Sequence, residues 1–494
     1  MSAATLAEAL RDAWETWSGR TALVHRGQAT TYADLRDTAV AIAAGYAGLG
    51  VRPGDRIVCS ASNRPEHVAA LAAAWLCGAV HVGLDFESTL PELARVIELT
   101  EAKMLVLEPT GPIAPLLAAH PDLTVIALDA QDRAGCPSIA DLVAAGGAPP
   151  AAPPAPSDPA LVFISSGTTG APKATIGWHG NLAGRWTRLG GWLGFEPDDV
   201  HLVQLPLAHG FGLLTAMAGL LRGGTLVLLD RPSTGGVLAA VRDEQVTVLN
   251  GAPAHFRLVL DRLEDAGDVE SLRLGIGTAA AFSPQLVRAI RERLGVDLVI
   301  MYGSSEGIGV ATKDQDDILL GAVGRPATES VAIVGSEREP MPVGEVGEIA
   351  FSRAVFPVRY WRDGDTNGDA WYYSGDLGRL DEEGRLFVHG RLKHQIDRGG
   401  LKVDPVEVEA ALLRCGDVRD AAVIGVPNPI LGESVCACVV PRTGARLTLA
   451  DLRTLLAGDL APYKLPEELR LVERIPRTPL GKTAVGSLSE LVAG

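Results

Sequence analysis

Apolar positions fall three and four apart over residues 33–49, the stripe of a helix lying against a core, and the stripe stops at Gly50. A short apolar run at 55–60 reads as a strand, 64–77 as a second helix and 103–108 as a second strand. The stretch 68–84 carries no Asp, Glu, Lys or Arg but contains Gly78 and His81 and is too short to span a bilayer, so it predicts a buried helix, a glycine stop and a strand. The segment 147–156, GAPPAAPPAP, is too rich in proline for a helix or a central strand and reads as an extended connector. Beyond it, strand-like runs at 161–165, 201–204, 225–229, 247–250, 272–275 and 297–302 alternate with helical stretches. That alternation predicts an α/β fold of layered sheets with helices on their faces. From about 321 to 389 the helical spacing disappears and short runs at 331–334, 348–352 and 385–389 lie between glycine-rich turns, predicting a small β-rich subdomain. A separate α+β unit begins at 390, with helices at 405–414 and 449–456 and strands at 421–425 and 435–440. The predicted division is a large N-terminal domain over 1–389 and a small C-terminal domain over 390–494.

Composition narrows the function classes. Apolar residues are 47% and charged residues 21% of the 494, which excludes disorder and collagen-like structure. A net charge of −16 disfavours nucleic acid and anionic membranes as partners. Six cysteines without a C-x-x-C pair suggest neither a disulfide framework nor a zinc site, and Cys436 and Cys438 share one face of an expected strand. The N-terminus lacks the basic and apolar regions of a secretory signal, so a cytoplasmic location is expected. Abundant Ala, Gly and Arg suit a GC-rich bacterial genome. Only seven of the 44 basic residues are lysines, so each ammonium in this arginine-preferring chain is a candidate for a specific task.

The densest chemical signal is Ile164-Ser165-Ser166-Gly167-Thr168-Thr169-Gly170-Ala171-Pro172-Lys173, directly after an apolar strand. Two glycines allow a tight turn that aims backbone N–H groups at one point, and hydroxyls and one ammonium surround that point, which suits a polyphosphate. It is not a Walker A loop; Gly481-Lys482-Thr483 ends like one, but Pro476 stands where the first glycine is required. Gly303-Ser304-Ser305-Glu306-Gly307 satisfies the G-x-S-x-G of serine hydrolases, with Ser305 as nucleophile, but Gly307-Ile308-Gly309-Val310 is a poor helix start. Gly275-Ile276-Gly277-Thr278-Ala279-Ala280 matches a loose dinucleotide fingerprint, yet the helix is expected to start at Ser283-Pro284, which puts the glycines in a loop.

Taken together, six motifs in order resemble the adenylate-forming superfamily of acyl- and aryl-CoA synthetases, peptide-synthetase adenylation domains and luciferases. They are Ser165–Lys173, Pro206-Leu207-Ala208-His209-Gly210, Tyr302-Gly303-Ser304-Ser305-Glu306, Tyr373-Ser374-Gly375-Asp376, Gly390-Arg391-Leu392-Lys393 and the 476–482 segment PRTPLGK. The resemblance runs from about residue 17 to 482 and is nearest in style to acyl- or aryl-CoA ligases. It implies that Ser165, Ser166, Gly167, Thr168, Thr169, Gly170 and Lys173 hold the phosphates of ATP. Gly277, Thr278, Ala279, Tyr302, Gly303, Ser304, Ser305, Asp376 and Arg391 would hold the rest of the nucleotide, with Tyr302 on adenine and Asp376 on both ribose hydroxyls. Glu306 would carry Mg²⁺, and Lys482 would bridge the carboxylate and the α-phosphate. Ser305 stands where the family usually has Thr, and Thr-Ala-Val-Gly follows Lys482 where an Arg is often found. The resemblance also implies a mobile C-terminal domain that turns about Lys393, with Gly399 and Gly400 walling the path of a pantetheine thiol. That thiol belongs to coenzyme A or, as the alternative, to the phosphopantetheine of an acyl or peptidyl carrier protein.

By the same resemblance the acid lies against His209, Gly210, Phe211, Leu214, Asn250, Leu274, Ile276, Met301, Gly309 and Val310, with His209 orienting the carboxylate. Relatives that activate α-amino acids usually carry Asp after this histidine. Gly210 offers no counter-charge, and an unpaired buried ammonium costs several kcal/mol. The expected substrate is therefore a hydrophobic aryl, alicyclic or medium-chain acid, of the kind met in bacterial secondary metabolism.

Overall fold

The computed structural model describes residues 4–109, 112–129, 135–147, 153–166, 172–304, 307–327, 329–354, 358–362, 369–399, 401–479 and 481–493. Capping boxes start many of its helices: Thr5 with Glu8, Thr31 with Asp34, Thr89 with Glu92, Ser138 with Asp141 and Thr448 with Asp451 satisfy each other's backbone N–H groups. The helices cover two large sheets. In the eight-stranded sheet the order is Gly307–Thr312, Asp297–Ser304, Leu274–Gly277, Val248–Gly251, Val200–Val203, Thr225–Leu228, Thr21–His25 and Gln28–Thr31. Its six inner strands are parallel and each edge strand is antiparallel to its neighbour. The six-stranded sheet runs Thr124–Ala127, Met104–Leu107, Arg56–Ser60, Val80–Leu84, Pro159–Ser166 and Pro172–Trp178, parallel except for the last strand.

One hydrophobic core joins the two sheets through helices Tyr32–Gly48, Pro65–Leu76 and Gly210–Leu220. Helix Pro65–Leu76 is buried from His67 to Leu76, and its Ala-rich sequence gives it a girth that fits between the layers. Trp75 is anchored by an Nε1–H···O bond of 3.0 Å to Ala160 and packs beside Trp186. The helix, the stop at Gly78 (φ +66°) and the strand Val80–Leu84 match the reading of 68–84. Among the described residues no helix is long and apolar enough to cross a membrane.

A third, four-stranded antiparallel sheet follows the order Val331–Val334, Gly347–Ser352, Trp371–Leu380, Leu386–Arg391. The ten-residue strand Trp371–Leu380 is absent from the sequence reading because its WYYSGDLGRL is half-buried and shows no clean apolar run. After the 3₁₀ turn Leu392–His394 the chain builds a fourth sheet around the long hairpin of Val418–Asn428 and Gly432–Pro441. Cys436 and Cys438 point into its core, as their spacing predicts.

The eight-stranded sheet is tied at the N-terminal ends of its strands by Asp199, just before Val200–Val203. Its carboxylate accepts from Arg273 Nε at 2.6 Å and from Arg273 Nη2, from Thr247 Oγ1 at 2.7 Å and from Glu196 N–H at 2.8 Å. Burial raises the Asp199 pKa, but the bonds from Arg273, Glu196 and Thr247 outweigh it and hold the group below the usual carboxylate range. A depressed folded pKa contributes stability that is present above the unfolded pKa and lost as pH falls through the folded one. Asp199→Asn is therefore expected to lower unfolding free energy by about 1–3 kcal/mol at pH 7, with the difference shrinking below about pH 4. Urea titrations across pH check this, and a pH-independent deficit would contradict it.

Candidate active site

The C-terminal ends of the parallel strands hold most of the described residues that the sequence singles out, where open α/β sheets place their ligands. Tyr302 lies near the end of Asp297–Ser304, and its hydroxyl donates to Asp376 Oδ2 at 2.9 Å. Arg391 Nε donates to Asp376 Oδ1 at 2.8 Å, and Arg391 is the direct cross-strand partner of Asp376. The aromatic-Ser-Gly-Asp motif explains how Asp376 is held. Gly375 takes φ +72° and donates its N–H to Glu348 Oε1, while Ser374 Oγ accepts from Asp376 N–H and donates to Ile349 O. Burial first, and then the Asp376 charge, push the Tyr302 phenol well above its ordinary range, so it stays a donor.

Strand ends nearby are closely packed. A Cβ on Gly277 would lie 2.6 Å from the Phe282 ring, and one on Gly275 2.8 Å from Leu298 Cδ2. Both glycines belong to strand Leu274–Gly277, which corrects the expectation that they form a loop: close packing, not turning, demands them here. The loop starts at Thr278, whose Oγ1 donates to Met301 O at 2.9 Å, and Ala279 adopts φ +73°. With helix Pro284–Leu294 starting well beyond those glycines, the dinucleotide reading lapses. The hydrolase reading lapses too, because Gly307–Thr312 is a strand and no helix follows the G-x-S-x-G.

The hydroxyl-rich segment bridges two antiparallel strands, Pro159–Ser166 and Pro172–Trp178, with Ser165 opposite Lys173. Gly167, Thr168, Thr169 and Gly170 lie outside the described residues, as do Ser305, Glu306 and Gly400; Ser165 and Ser166 are described in backbone only. Lys173 is exposed, with Nζ 5.5 Å from the centre of the Tyr360 ring. Among the described residues no three His, Cys, Asp or Glu side chains are grouped to hold a metal.

His209 precedes helix Gly210–Leu220, and its Nε2 lies 3.3 Å from Asp85 Oδ2. Asp85 follows Val80–Leu84, an inner strand of the other sheet, so this contact ties the start of helix Gly210–Leu220 to that sheet. Burial raises the Asp85 pKa, but His209 and the Glu87 N–H outweigh it, and the group stays below the usual carboxylate range. No sequence motif singles out Asp85; the available signal is its place as the first charge after the uncharged stretch 68–84. A Cβ on Gly210 would stand 3.6 Å from the Phe163 ring, an ordinary contact distance. Leu214, Leu274, Ile276 and Met301 are buried in one cluster, with Phe163 and Phe211 packed against it. Gly309 and Val310 sit on the neighbouring edge strand beside Phe351. Asn250 is buried, donates to Thr215 Oγ1 at 3.2 Å, and leaves Oδ1 without a partner among the described residues.

Lys482 arrives from the other end of the chain on a tight hairpin. Thr478 N–H donates to Lys482 O at 2.8 Å, Gly481 N–H to Thr478 O at 2.7 Å, and Ala484 N–H to Pro476 O at 2.9 Å. Gly481 (φ +77°) presses on the large N-terminal region: a Cβ there would lie 2.8 Å from both Ala252 Cβ and His255 Cε1. His255 is held neutral, its pKa lowered to about 4 by burial and then by the Arg477 charge. A cavity of about 300 Å³ lies alongside, lined by Asp85, Phe86, Gln204, Pro206, Arg231 and Arg477 among others; neither Lys173 nor Asp376 borders it. Lys393 is exposed in the Leu392–His394 turn, and the nearest atom to a Cβ on Gly399 is Leu431 Cδ2 in the same C-terminal unit.

Comparison with known proteins gives a consistent picture. Residues 10–361 match the family described as AMP-binding enzyme, and residues 407–482 match the AMP-binding enzyme C-terminal domain. The chain is 34% identical over 478 residues to a feruloyl-CoA synthase of an Amycolatopsis species, covering 95% of each. It is 32% identical over 510 residues to a salicyl-AMP ligase / salicyl-S-ArCP synthetase of Mycobacterium tuberculosis, covering 97% of this chain and 89% of that one. The crystal structure of ATP-bound MatB from Rhodopseudomonas palustris superposes with a TM-score of 0.87 at 27% identity, covering 98% of both chains.

The packing around Tyr302 yields a direct test. A Cβ on Gly309 would stand 2.2 Å from Phe351 Cε1, and the Phe351 ring is 5.9 Å from that of Tyr302. Gly309→Ala is expected to displace both rings and cost about 1–3 kcal/mol, the usual range for overpacking. Denaturant unfolding measures this, and an unchanged midpoint would show that the ring moves freely.

Proposed function

The chain belongs to the AMP-binding enzyme family, and from that premise we propose that it joins a hydrophobic carboxylic acid to coenzyme A through an acyl-AMP intermediate. ATP and the acid give acyl-AMP and pyrophosphate; the thiol then gives a thioester and AMP. The observation that supports this most is the docking of the 476–484 hairpin, which carries Lys482, onto Ala252 and His255 at the strand ends.

Bringing a carboxylate to the α-phosphate sets two anions against each other, so positioning and charge neutralisation do most of the work. Lys482 would neutralise both anions as they meet. Asp376, already fixed by Tyr302 and Arg391, keeps further lone pairs for the ribose hydroxyls. Lys173, with Thr168 and Thr169, would take the outer phosphates, and Glu306 would hold a Mg²⁺ ion that supplies further neutralisation of phosphate charge. His209 would orient the acid; its Nε2 must carry the proton it shares with anionic Asp85, which fixes how the ring can turn. The small C-terminal unit would then pivot about Lys393 and bring Gly399 and Gly400 to the thiol.

The apolar lining and the absence of a carboxylate at Gly210 favour an aryl, alicyclic or medium-chain acid. Coenzyme A is favoured as acceptor because the feruloyl-CoA synthase relative is similar along nearly its whole length. The Mycobacterium tuberculosis relative supports a carrier-protein phosphopantetheine as the second reading.

Lys482→Ala is expected to slow pyrophosphate release by about 10²–10³-fold, the scale of losing one electrostatic stabiliser. Thioester formation from supplied acyl-AMP should be largely spared, and an equal loss in both steps would contradict the role. The function as a whole is tested by screening an acid panel for ATP-dependent pyrophosphate release, then adding coenzyme A or a carrier protein and weighing the products. Acyl-CoA formation from an aryl or alicyclic acid is the expected result; no pyrophosphate with any acid would refute the ligase reading.

A further inference from the structure

The hairpin that carries Lys482 is braced by charges from both sides of the hinge. Arg477 donates through Nη2 to both oxygens of Asp420, at 2.7 and 2.8 Å, and through Nη1 to Gly481 O at 3.2 Å. Arg477 also closes the hairpin by an antiparallel bridge to Thr483. Asp420 belongs to the long strand Val418–Asn428 and so anchors the hairpin to its own sheet. The same carboxylate faces a second cation, Arg257, whose Nη1 lies 3.8 Å from Asp420 Oδ1. Arg257 comes from helix Pro253–Arg262, the helix whose first turn holds His255 against Gly481. The side chains of Arg257, Asp420 and Arg477 are each only 22% exposed, so water screens the group weakly.

We propose that Asp420, shared between Arg477 on the hairpin and Arg257 on the large N-terminal region, is a latch that holds Lys482 in its adenylation position, and that Arg257 is a positioning residue for that half-reaction alone. Arg477 and Asp420 travel together, since both follow the Leu392–His394 turn. Arg257 stays with the large region. Any swing about Lys393 separates Arg257 from Asp420 while leaving the Arg477 pair intact. The latch therefore favours one arrangement over the other. Gly481 adds the steric half of the device, because its missing Cβ is what lets the hairpin reach Ala252.

The latch rests on the two-step ligase reading, so the experiment has one arm that does not depend on it. Arg257→Ala and Arg257→Lys are compared with the unmodified chain. In the first arm, trypsin cleavage after the already exposed Lys393 is followed without ligands; a freed C-terminal unit should let the 3₁₀ turn open into the extended form a protease binds, and Arg257→Ala should be cut about 5–10-fold faster, in line with losing a partly buried pair. In the second arm, Arg257→Ala should slow pyrophosphate release by about tenfold, while thioester formation from supplied acyl-AMP stays within about twofold. Arg257→Lys, which keeps the charge, should recover most of both effects. Melting temperatures of all three should agree within about 2 °C, which separates a latch from a folding defect. An unchanged cleavage rate, equal losses in the two half-reactions, or failure of the lysine variant to recover would overturn the latch. If the unmodified chain releases no pyrophosphate with any acid, the ligase reading falls, and the trypsin arm alone decides the latch.

Discussion

One buried carboxylate organises the candidate site. Asp376 is 7% exposed, and an anion so placed is tolerated only when charge and hydrogen bonds surround it. Its partners come from two different sheets. Tyr302 reaches it from the end of the eight-stranded sheet, and Arg391 from the last position of the four-stranded one. The next residue begins the Leu392–His394 turn. The proposed pivot thus lies next to the proposed ribose site, and the Tyr302–Asp376 bond ties the four-stranded sheet to the larger one.

The second constraint is delivery. In the proposed reaction the ammonium of Lys482 comes to the strand ends from far beyond Tyr302 in the chain, on an element that would also have to leave. A rigid insertion could do the first but not the second. A two-stranded hairpin meets both needs: it is stiff enough through its own backbone bonds to present Lys482, and it meets Ala252 and His255 mainly through a glycine. The contact is close but narrow. The proposed Arg257–Asp420 latch would add a charge pair to that narrow contact.

The central parallel strands are legible in the sequence because burial on both faces makes them short unbroken apolar runs. Val80–Leu84, Val200–Val203, Thr225–Leu228 and Asp297–Ser304 all lie close to where that pattern puts them. Trp371–Leu380 escapes because a half-buried strand carries polar and glycine residues at will. Gly275 and Gly277 mislead for the opposite reason: glycine marks turns and tight packing alike, and only the Phe282 and Leu298 side chains tell the two apart. The motif residues Tyr302, Asp376 and Arg391 are visible through their resemblance to a known pattern, and they do converge. Asp85, His255 and Arg257 carry no motif. Each matters only through a partner distant in sequence, His209 for the first and the C-terminal hairpin or Asp420 for the others, and no local spacing reports such a pairing.

Helix Pro65–Leu76 is buried along nearly its whole length in the core between both sheets, and five of its twelve residues are alanine. A wall this thin and this crowded has no room for heavier side chains, since each added methylene would pry the two layers apart. Heavier substitutions are therefore barred from this helix. Variation is admitted more readily in the loops that leave the strands, outside the grip of that thin central wall.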